Sequence, residues 1–265
     1  MNLVGLFKKS LKYPADNYKV WIIVAILCFL SSLLDIVSKV TTNMILSSII
    51  ALMSFIITLM IAGFCLKVLK SQINGSEIKV ATKDKLIGNL KDDFICGLKV
   101  LVVEMVYFLI FAVVVAIISY ITGAEGSVIS FISQLLITAD IRLIPTSLFD
   151  EFFTSAILIV VISLIFAIIL YVFTTIATAK LAETGKILDA FDIKSILSRI
   201  SSIGWGGYIS YLLLLLCVGV VIGLIFIVMG SIPYVGNIAA DTIVKSFMLI
   251  FTNVSIAKIY TYNNE

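Results

Sequence analysis

Residues 155–179 read SAILIVVISLIFAIILYVFTTIATA, and this stretch decides the fold. It holds twenty-five residues without a charge, so apolar side chains would cover every face of a helix formed there. A helix rises about 1.5 Å per residue and the hydrocarbon layer is roughly 30 Å thick, so about twenty such residues cross a bilayer. The stretch therefore predicts a transmembrane helix.

The rest of the chain has the composition of a membrane protein. Apolar residues make up 61% of its 265 residues, and the mean hydropathy is +1.19. This composition leaves no room for a sizeable water-soluble domain. We predict a single integral membrane domain over residues 1–265, an all-α polytopic helical bundle with about six transmembrane helices. The expected spans are 19–38, 44–66, 98–122, 155–179, 208–230 and 236–259.

Three polar stretches beside these spans predict cytoplasmic amphipathic helices that lie on the membrane surface. In residues 1–18, apolar residues at helical spacing oppose lysines, and Pro14 is expected to end the helix. The same spacing recurs in Lys83–Ile95 and in Asp192–Ile200, where Asp192 is the expected N-cap. A further uncharged segment, 127–138, is too short to span, so we expect a re-entrant or interfacial position for it.

The two lysine-bearing connections also predict an internal repeat. Laid over each other, they align without a gap and match residues of the same type. The constant offset is 110 residues, which pairs Lys70 with Lys180, Gly75 with Gly185 and Gly97 with Gly207. The expected unit is a span, a surface helix and a returning span.

Lysine and arginine are distributed unevenly along the chain. Sixteen of the nineteen lie in the N-terminal arm, in 67–99, in 180–207 or in the C-terminal tail. Positive residues accumulate on the cytoplasmic side of membrane proteins. We therefore predict a multi-pass protein of the cell membrane with both termini cytoplasmic, which requires an even number of spans, as six spans would give.

Small residues predict two places of close helix packing. Ser54 and Thr58 fall on one face of the second span, where small side chains let two backbones approach; the alternative is that this face lines a polar transport pathway. Gly219 and Gly223 form a GxxxG pair in the fifth span. We expect this pair to make a contact within the molecule, with a dimer face as the alternative.

Charged residues inside the last span are the first candidates for a functional site. Asp241 and Lys245 are four residues apart and so share one helix face, where they can form an ion pair. Charges at that depth cost about 2.5–3.5 kcal/mol each, so we expect them to face the bundle interior. The pair either fixes this helix against its neighbours or forms a solute or proton site. Asn253 continues the same face.

Other polar side chains complete this candidate intramembrane site. Glu104 lies near the start of the third span, where it is either buried below the membrane surface or a boundary residue beside Lys99. Thr174 and Thr178 share one face of the fourth span. Such threonines usually bond back to their own helix, although they can also line a polar pathway.

The residue inventory argues against several classes of chemistry. The chain has no histidine, and its four cysteines form no CxxC pair. It carries no HExxH or GxSxG motif and no second intramembrane aspartate to pair with Asp241. We therefore expect no enzyme activity, no catalytic residues, no metal and no cofactor. No basic cluster is interleaved with aromatic residues, so we also expect no nucleic-acid partner.

Three stretches carry a resemblance to a known family. They are LFKKSLKYPADNYKVWIIVAIL at 6–27, DDFICGLKVLVVEMVYFLIF at 92–111 and AKLAETGKILDAFDIKSILSRIS at 179–201. In order and spacing these resemble the uncharacterised, largely archaeal family of multi-spanning membrane proteins known as domain of unknown function 4013. The resemblance implies a topology and a source, and it carries over no catalytic residues.

Two functions are consistent with these features. The first is a membrane-organising or partner-binding scaffold, favoured by the repeated surface helices, whose partners would be the lipid bilayer and another protein or a second copy of the chain. The alternative is a transporter or channel component for a small solute or ion, which would use Asp241 and Lys245.

Overall fold

Helices account for the regular secondary structure of residues 3–76 and 86–262, which are the residues that the computed structural model describes; the side chains of 86–89 are not among them. A π-helix at Ala240–Lys245 interrupts the last span. The α-helices are α1 (Leu3–Asp16), α2 (Tyr18–Val40), α3 (Met44–Ile73), α4 (Leu86–Ile121), α5 (Ala124–Thr138), α6 (Thr146–Thr184), α7 (Ile193–Ile203), α8 (Trp205–Gly230), α9 (Val235–Ala239) and α10 (Ser246–Tyr260).

Six helical segments are long and apolar enough to cross a membrane, which confirms the predicted number of spans for the described part of the chain. They are α2, α3, α4, α6, α8 and the run from Val235 to Tyr260. The protein is therefore a multi-pass, all-α membrane protein. Several of these helices extend past the apolar run that predicted them: α6 has 39 residues and at about 1.5 Å per residue is roughly 58 Å long.

The described residues divide into two compact units. The larger unit comprises the described residues up to Val103 and those from Thr175 onward, and the smaller one comprises Glu104–Thr174. In the smaller unit, the Ser127 hydroxyl donates to Glu151 Oε1 at 3.0 Å, and the ring of Phe131 stacks on Phe152 with centroids 4.3 Å apart. These contacts hold α5 against the first turns of α6. Whether α5 is re-entrant or interfacial stays a prediction, as does the single domain.

The larger unit has its core where α2, α3 and α10 meet. Val24, Val68 and Ile250 are buried together in this cluster. The Ser31 and Ser54 hydroxyls lie 3.0 Å apart, and the Thr58 hydroxyl lies 3.2 Å from that of Ser31. The packing role predicted for the small residues of the second span is therefore confirmed at Ser54 and Thr58.

Glycines on α3 and α4 let the backbones of these two helices approach closely where they cross. A Cβ at Gly63 would lie 1.7 Å from the Asp93 carbonyl oxygen, and one at Gly97 would lie 1.8 Å from the Leu59 carbonyl oxygen. Beside the crossing, Lys67 Nζ lies 2.6 Å from Asp93 Oδ1. Backbone contact and this ion pair together fix the first turns of α4 against α3.

This crossing explains why the predicted surface helix Lys83–Ile95 is wrong for its described part. Residues 83–85 lie outside the described residues. From Leu86 onward α4 runs without a break to Ile121, so residues 86–95 do not form a separate helix but are continuous with the candidate span Leu90–Ile121. Asp93 and Gly97 hold those turns against α3, which leaves no separate element there.

The other two predicted surface helices exist as helices. α1 continues to Asp16 with Pro14 inside it, so Pro14 does not end the helix. Its Phe7 ring packs edge-on against Phe251 of α10, with centroids 5.5 Å apart. α7 begins after Asp192, whose carboxylate accepts from the Ser195 backbone N–H at 3.2 Å, as expected of an N-cap. Their position at the membrane surface stays a prediction.

Candidate functional site

The Asp241 and Lys245 side chains meet as their spacing predicts. Lys245 Nζ lies 3.3 Å from Asp241 Oδ1, and both residues belong to the π-helix Ala240–Lys245. A π-helix inserts an extra residue into a helical turn and occurs frequently at functional sites. The last span therefore combines an ion pair with an irregular turn.

The Asp241 and Lys245 side chains differ in how deeply they are buried. The Asp241 side chain is 19% exposed, but that of Lys245 is 45% exposed, so the interior position predicted for both is wrong for Lys245. A long, flexible lysine stem lets the ammonium leave the packed side of the helix. One residue further on, the Ser246 hydroxyl accepts from Trp21 Nε1 at 2.9 Å, which ties the π-helix to α2.

The remaining predicted site residues lie apart from the pair or in the other unit. Asn253 is two turns beyond Lys245, and its Nδ2 donates to the Leu249 carbonyl oxygen at 2.8 Å. Thr178 is half-buried in α6 of the larger unit. Glu104 and Thr174 are the first and last residues of the smaller unit along the chain; Glu104 is exposed, and the Thr174 hydroxyl donates back to the Tyr171 carbonyl oxygen at 3.3 Å. The latter bond is the self-bonding expected of threonine in a span.

A second polar site, which we call the α7 pocket, lies in the larger unit. It is a cavity of about 370 Å³ between the end of α6, one face of α7 and the end of α10. Small-molecule sites are typically about 300–1,000 Å³, so this volume suits a small ligand. Its lining is formed by Lys180, Glu183, Ser195, Ser198, Arg199, Ser202 and Tyr260.

The sequence places these side chains together because α7 has two distinct faces. Ile196, Ile200 and Ile203 are buried against the bundle. The pocket residues of α7 are spaced three, one and three apart, so they share another face of the same helix. Burial of the isoleucines thus aims the serines and Arg199 at the ends of α6 and α10.

Contacts inside the α7 pocket link all three helices. Lys180 Nζ of α6 donates to the Ser195 hydroxyl of α7. The Arg199 guanidinium donates to the Tyr260 carbonyl oxygen and lies 4.9 Å from the centre of the Tyr260 ring. The Tyr260 hydroxyl in turn donates to Glu183 Oε2 at 2.5 Å. The pocket therefore holds two cations and one carboxylate in two sets of hydrogen bonds, one between Lys180 and Ser195 and one that joins Arg199, Tyr260 and Glu183.

The sequence of this chain matches one protein-family model. A model described as "Protein of unknown function (DUF4013)" matches residues 45–231. The chain belongs to this family. Neither a curated protein nor a solved structure matches it.

The residues matched by the DUF4013 model include most of one candidate site and exclude the other. Most of the α7 pocket, from Lys180 to Ser202, falls within residues 45–231. Tyr260, Asp241 and Lys245 lie after the matched residues, and the N-terminal stretch 6–27 lies before them. The family assignment is thus confirmed over its middle part, while the largely archaeal source stays a prediction.

Proposed function

We propose that this DUF4013 protein is a non-enzymatic, membrane-organising scaffold of the cell membrane, with cytoplasmic termini and a protein partner or a second copy bound at α7. One observation carries the proposal. Beside the buried isoleucines, α7 leaves Ile193 59% and Leu197 37% exposed on the same apolar stripe. An apolar stripe that is only half covered by its own bundle favours contact with lipid or another protein.

The neighbouring residues support this role. Leu188, just before α7, is 82% exposed, and Trp205, just after it, is 43% exposed. Lys186 and Lys194 are exposed in the same segment. Exposed apolar residues flanked by lysines are typical of a membrane-surface element, where aromatic rings and lysines sit at headgroup level.

Photo-crosslinking from position 197 in native membranes tests the scaffold. We expect a stoichiometric crosslink to one protein, or to a second copy of the chain, and we expect Ile193→Ser to abolish it. Ser202→Ala is the matched control, because Ser202 is exposed on α7 but lies on the face opposite the apolar stripe. Crosslinks to lipid alone would contradict the partner-binding scaffold.

The π-helix in the last span favours a second function, a transporter or channel component for a small solute or ion. Asp241 and Lys245 place two charges inside a span at an irregular turn, and intramembrane charges commonly mark ion and solute pathways. Flux into proteoliposomes, measured with a panel of small ions and with membrane potential, distinguishes this function from the scaffold. Flux that Lys245→Ala abolishes would support transport, and its absence together with a stoichiometric crosslink would support the scaffold.

A further inference from the structure

The α7 pocket has the side chains of an anion site, and we propose that it binds a phosphate group. This inference goes beyond the scaffold, because the pocket lies on a face of α7 other than the Ile193–Leu197 stripe. Its lining brings together two cations, Lys180 and Arg199, and the hydroxyl groups of Ser195 and Ser198. The other two hydroxyl groups already donate within the protein, that of Ser202 to the Arg199 carbonyl oxygen and that of Tyr260 to Glu183. Phosphate oxygens accept hydrogen bonds from both kinds of donor.

Arg199 is the group that gives the pocket its shape. Its guanidinium lies over the Tyr260 ring, donates to the Tyr260 carbonyl oxygen, and reaches the Ser202 hydroxyl from Nη1 at 3.4 Å. Stacking on an aromatic ring fixes the plane of the guanidinium, whose fork of N–H groups matches phosphate geometry. The arginine is therefore held in one orientation before any ligand binds, which lowers the entropy lost on binding.

Lys180 and the serines supply the other donors. Because Ser195 Oγ accepts from Lys180 Nζ, the Ser195 hydroxyl hydrogen is directed elsewhere. Ser198 lies between Ser195 and Ser202 on the pocket face of α7 and is exposed to the cavity opening. A phosphate group seated there would meet a lysine, an arginine and hydroxyl groups from one helix face.

Glu183 sets the charge of the site. With Lys180 and Arg199 against this single carboxylate, the lining has one surplus positive charge. A phosphodiester, which carries one negative charge, balances that surplus. Lys180 follows the uncharged run of α6 directly, and Tyr260 ends the last span. A phosphate of a lipid headgroup and a free phosphate both share the chemistry that the pocket recognises.

Thermal unfolding of the purified full-length protein in a zwitterionic detergent tests this site. The probes are sodium phosphate, with sodium chloride at equal ionic strength as the reference, and dihexanoyl phosphatidylglycerol, with a sugar-headgroup detergent of similar chain length as the reference. We expect a saturable rise in the unfolding temperature with at least one probe. Lys180→Gln should weaken the apparent affinity roughly tenfold, since it removes a charge-assisted bond, and Ser198→Ala should weaken it less.

Glu183→Gln gives a change of the opposite sign. It keeps an oxygen that accepts from the Tyr260 hydroxyl but removes the negative charge, so phosphate should bind more tightly than to the wild type. Lys194→Gln is the matched control: it removes a positive charge from the same helix outside the pocket lining and should leave affinity unchanged. A purely structural role for the pocket would not make Lys180→Gln and Glu183→Gln shift affinity in opposite directions.

Each outcome decides the proposal. Saturation by sodium phosphate with this pattern of variants supports a free phosphate ligand, and saturation by the lipid alone with the same pattern supports a headgroup. The proposal is overturned if neither probe saturates, or if Lys194→Gln weakens binding as much as Lys180→Gln. Loss of crosslinking at position 197 would leave this result unaffected, so the scaffold and the phosphate site fail separately.

Discussion

Replacing Gly97 by alanine is expected to force α3 and α4 apart. The added Cβ would lie 1.8 Å from the Leu59 carbonyl oxygen. Carbon and carbonyl oxygen normally approach to about 3.3 Å, so the two backbones must separate by roughly 1.5 Å. A backbone atom cannot turn aside as a side chain can, and the whole crossing therefore moves.

The energetic cost follows from what the crossing holds. Overpacking a well-packed contact costs about 1–3 kcal/mol. Separation also strains the ion pair between Lys67 and Asp93, whose atoms are 2.6 Å apart and whose residues lie one turn from the two glycines. Alanine in a helix is more stable than glycine by about 0.5–1 kcal/mol because it loses less backbone entropy on folding. This stabilisation has to be subtracted by comparison with a second Gly→Ala variant.

Gly219→Ala is that control, because a Cβ at Gly219 meets no heavy atom within 4 Å among the described residues. Both changes share the propensity gain, so their difference reports the clash alone. In equilibrium unfolding by sodium dodecyl sulfate, followed by circular dichroism, Gly97→Ala should be about 1–3 kcal/mol less stable than Gly219→Ala. Equal stability within about 0.5 kcal/mol would refute the close crossing.

Two further changes test local features of the larger unit. Lys245→Ala should lower the unfolding temperature of the detergent-solubilised protein more than the double change Asp241→Ala with Lys245→Ala, because the single change leaves a carboxylate without its partner. The difference in unfolding free energy should be no more than about 1 kcal/mol, since the Lys245 side chain is 45% exposed. Equal unfolding temperatures would show that the two residues do not act as a pair. Asp192→Ala should destabilise α7 by about 1 kcal/mol through loss of the N-cap, whereas Asp192→Asn should retain the cap. Hydrogen–deuterium exchange over residues 193–203 measures the stability of α7 in both variants. Unchanged exchange in the alanine variant would contradict the cap.

The spans were predictable because one force decides them. Every residue of a run such as 155–179 has to be compatible with hydrocarbon, so the apolar signal does not depend on neighbours distant in sequence. The ends of the helices were not predictable in the same way. A helix need not stop at the bilayer boundary, and α3 continues past Lys67 to Ile73 because that lysine finds Asp93 on α4.

Glycine illustrates why local patterns alone mislead. Gly97 precedes the predicted third span, where a break between two helices was expected, yet it lies inside α4 at a backbone crossing. Gly219 and Gly223 carry a packing motif, yet the larger unit leaves open space beside both among the described residues. By contrast Gly204, with a φ of 95°, does interrupt the helical conformation between α7 and α8. The same residue type permits close approach, open surface or a turn, and only tertiary contacts select among them.

The α7 pocket was missed for the same physical reason, although part of its signal was present. Ser195, Arg199 and Ser202 form a polar stripe on a helix that the sequence predicted, and such a stripe opposite a buried apolar face indicates a polar contact surface. What the stripe contacts depends on Tyr260, which is 61 residues from Arg199 and ends a different span. Asp241 and Lys245 are conspicuous in the sequence because isolated charges inside a span are costly. Charges just past the end of a span cost little by themselves, so Lys180 carried no comparable signal, and its importance follows only from the two helices that the fold brings to it.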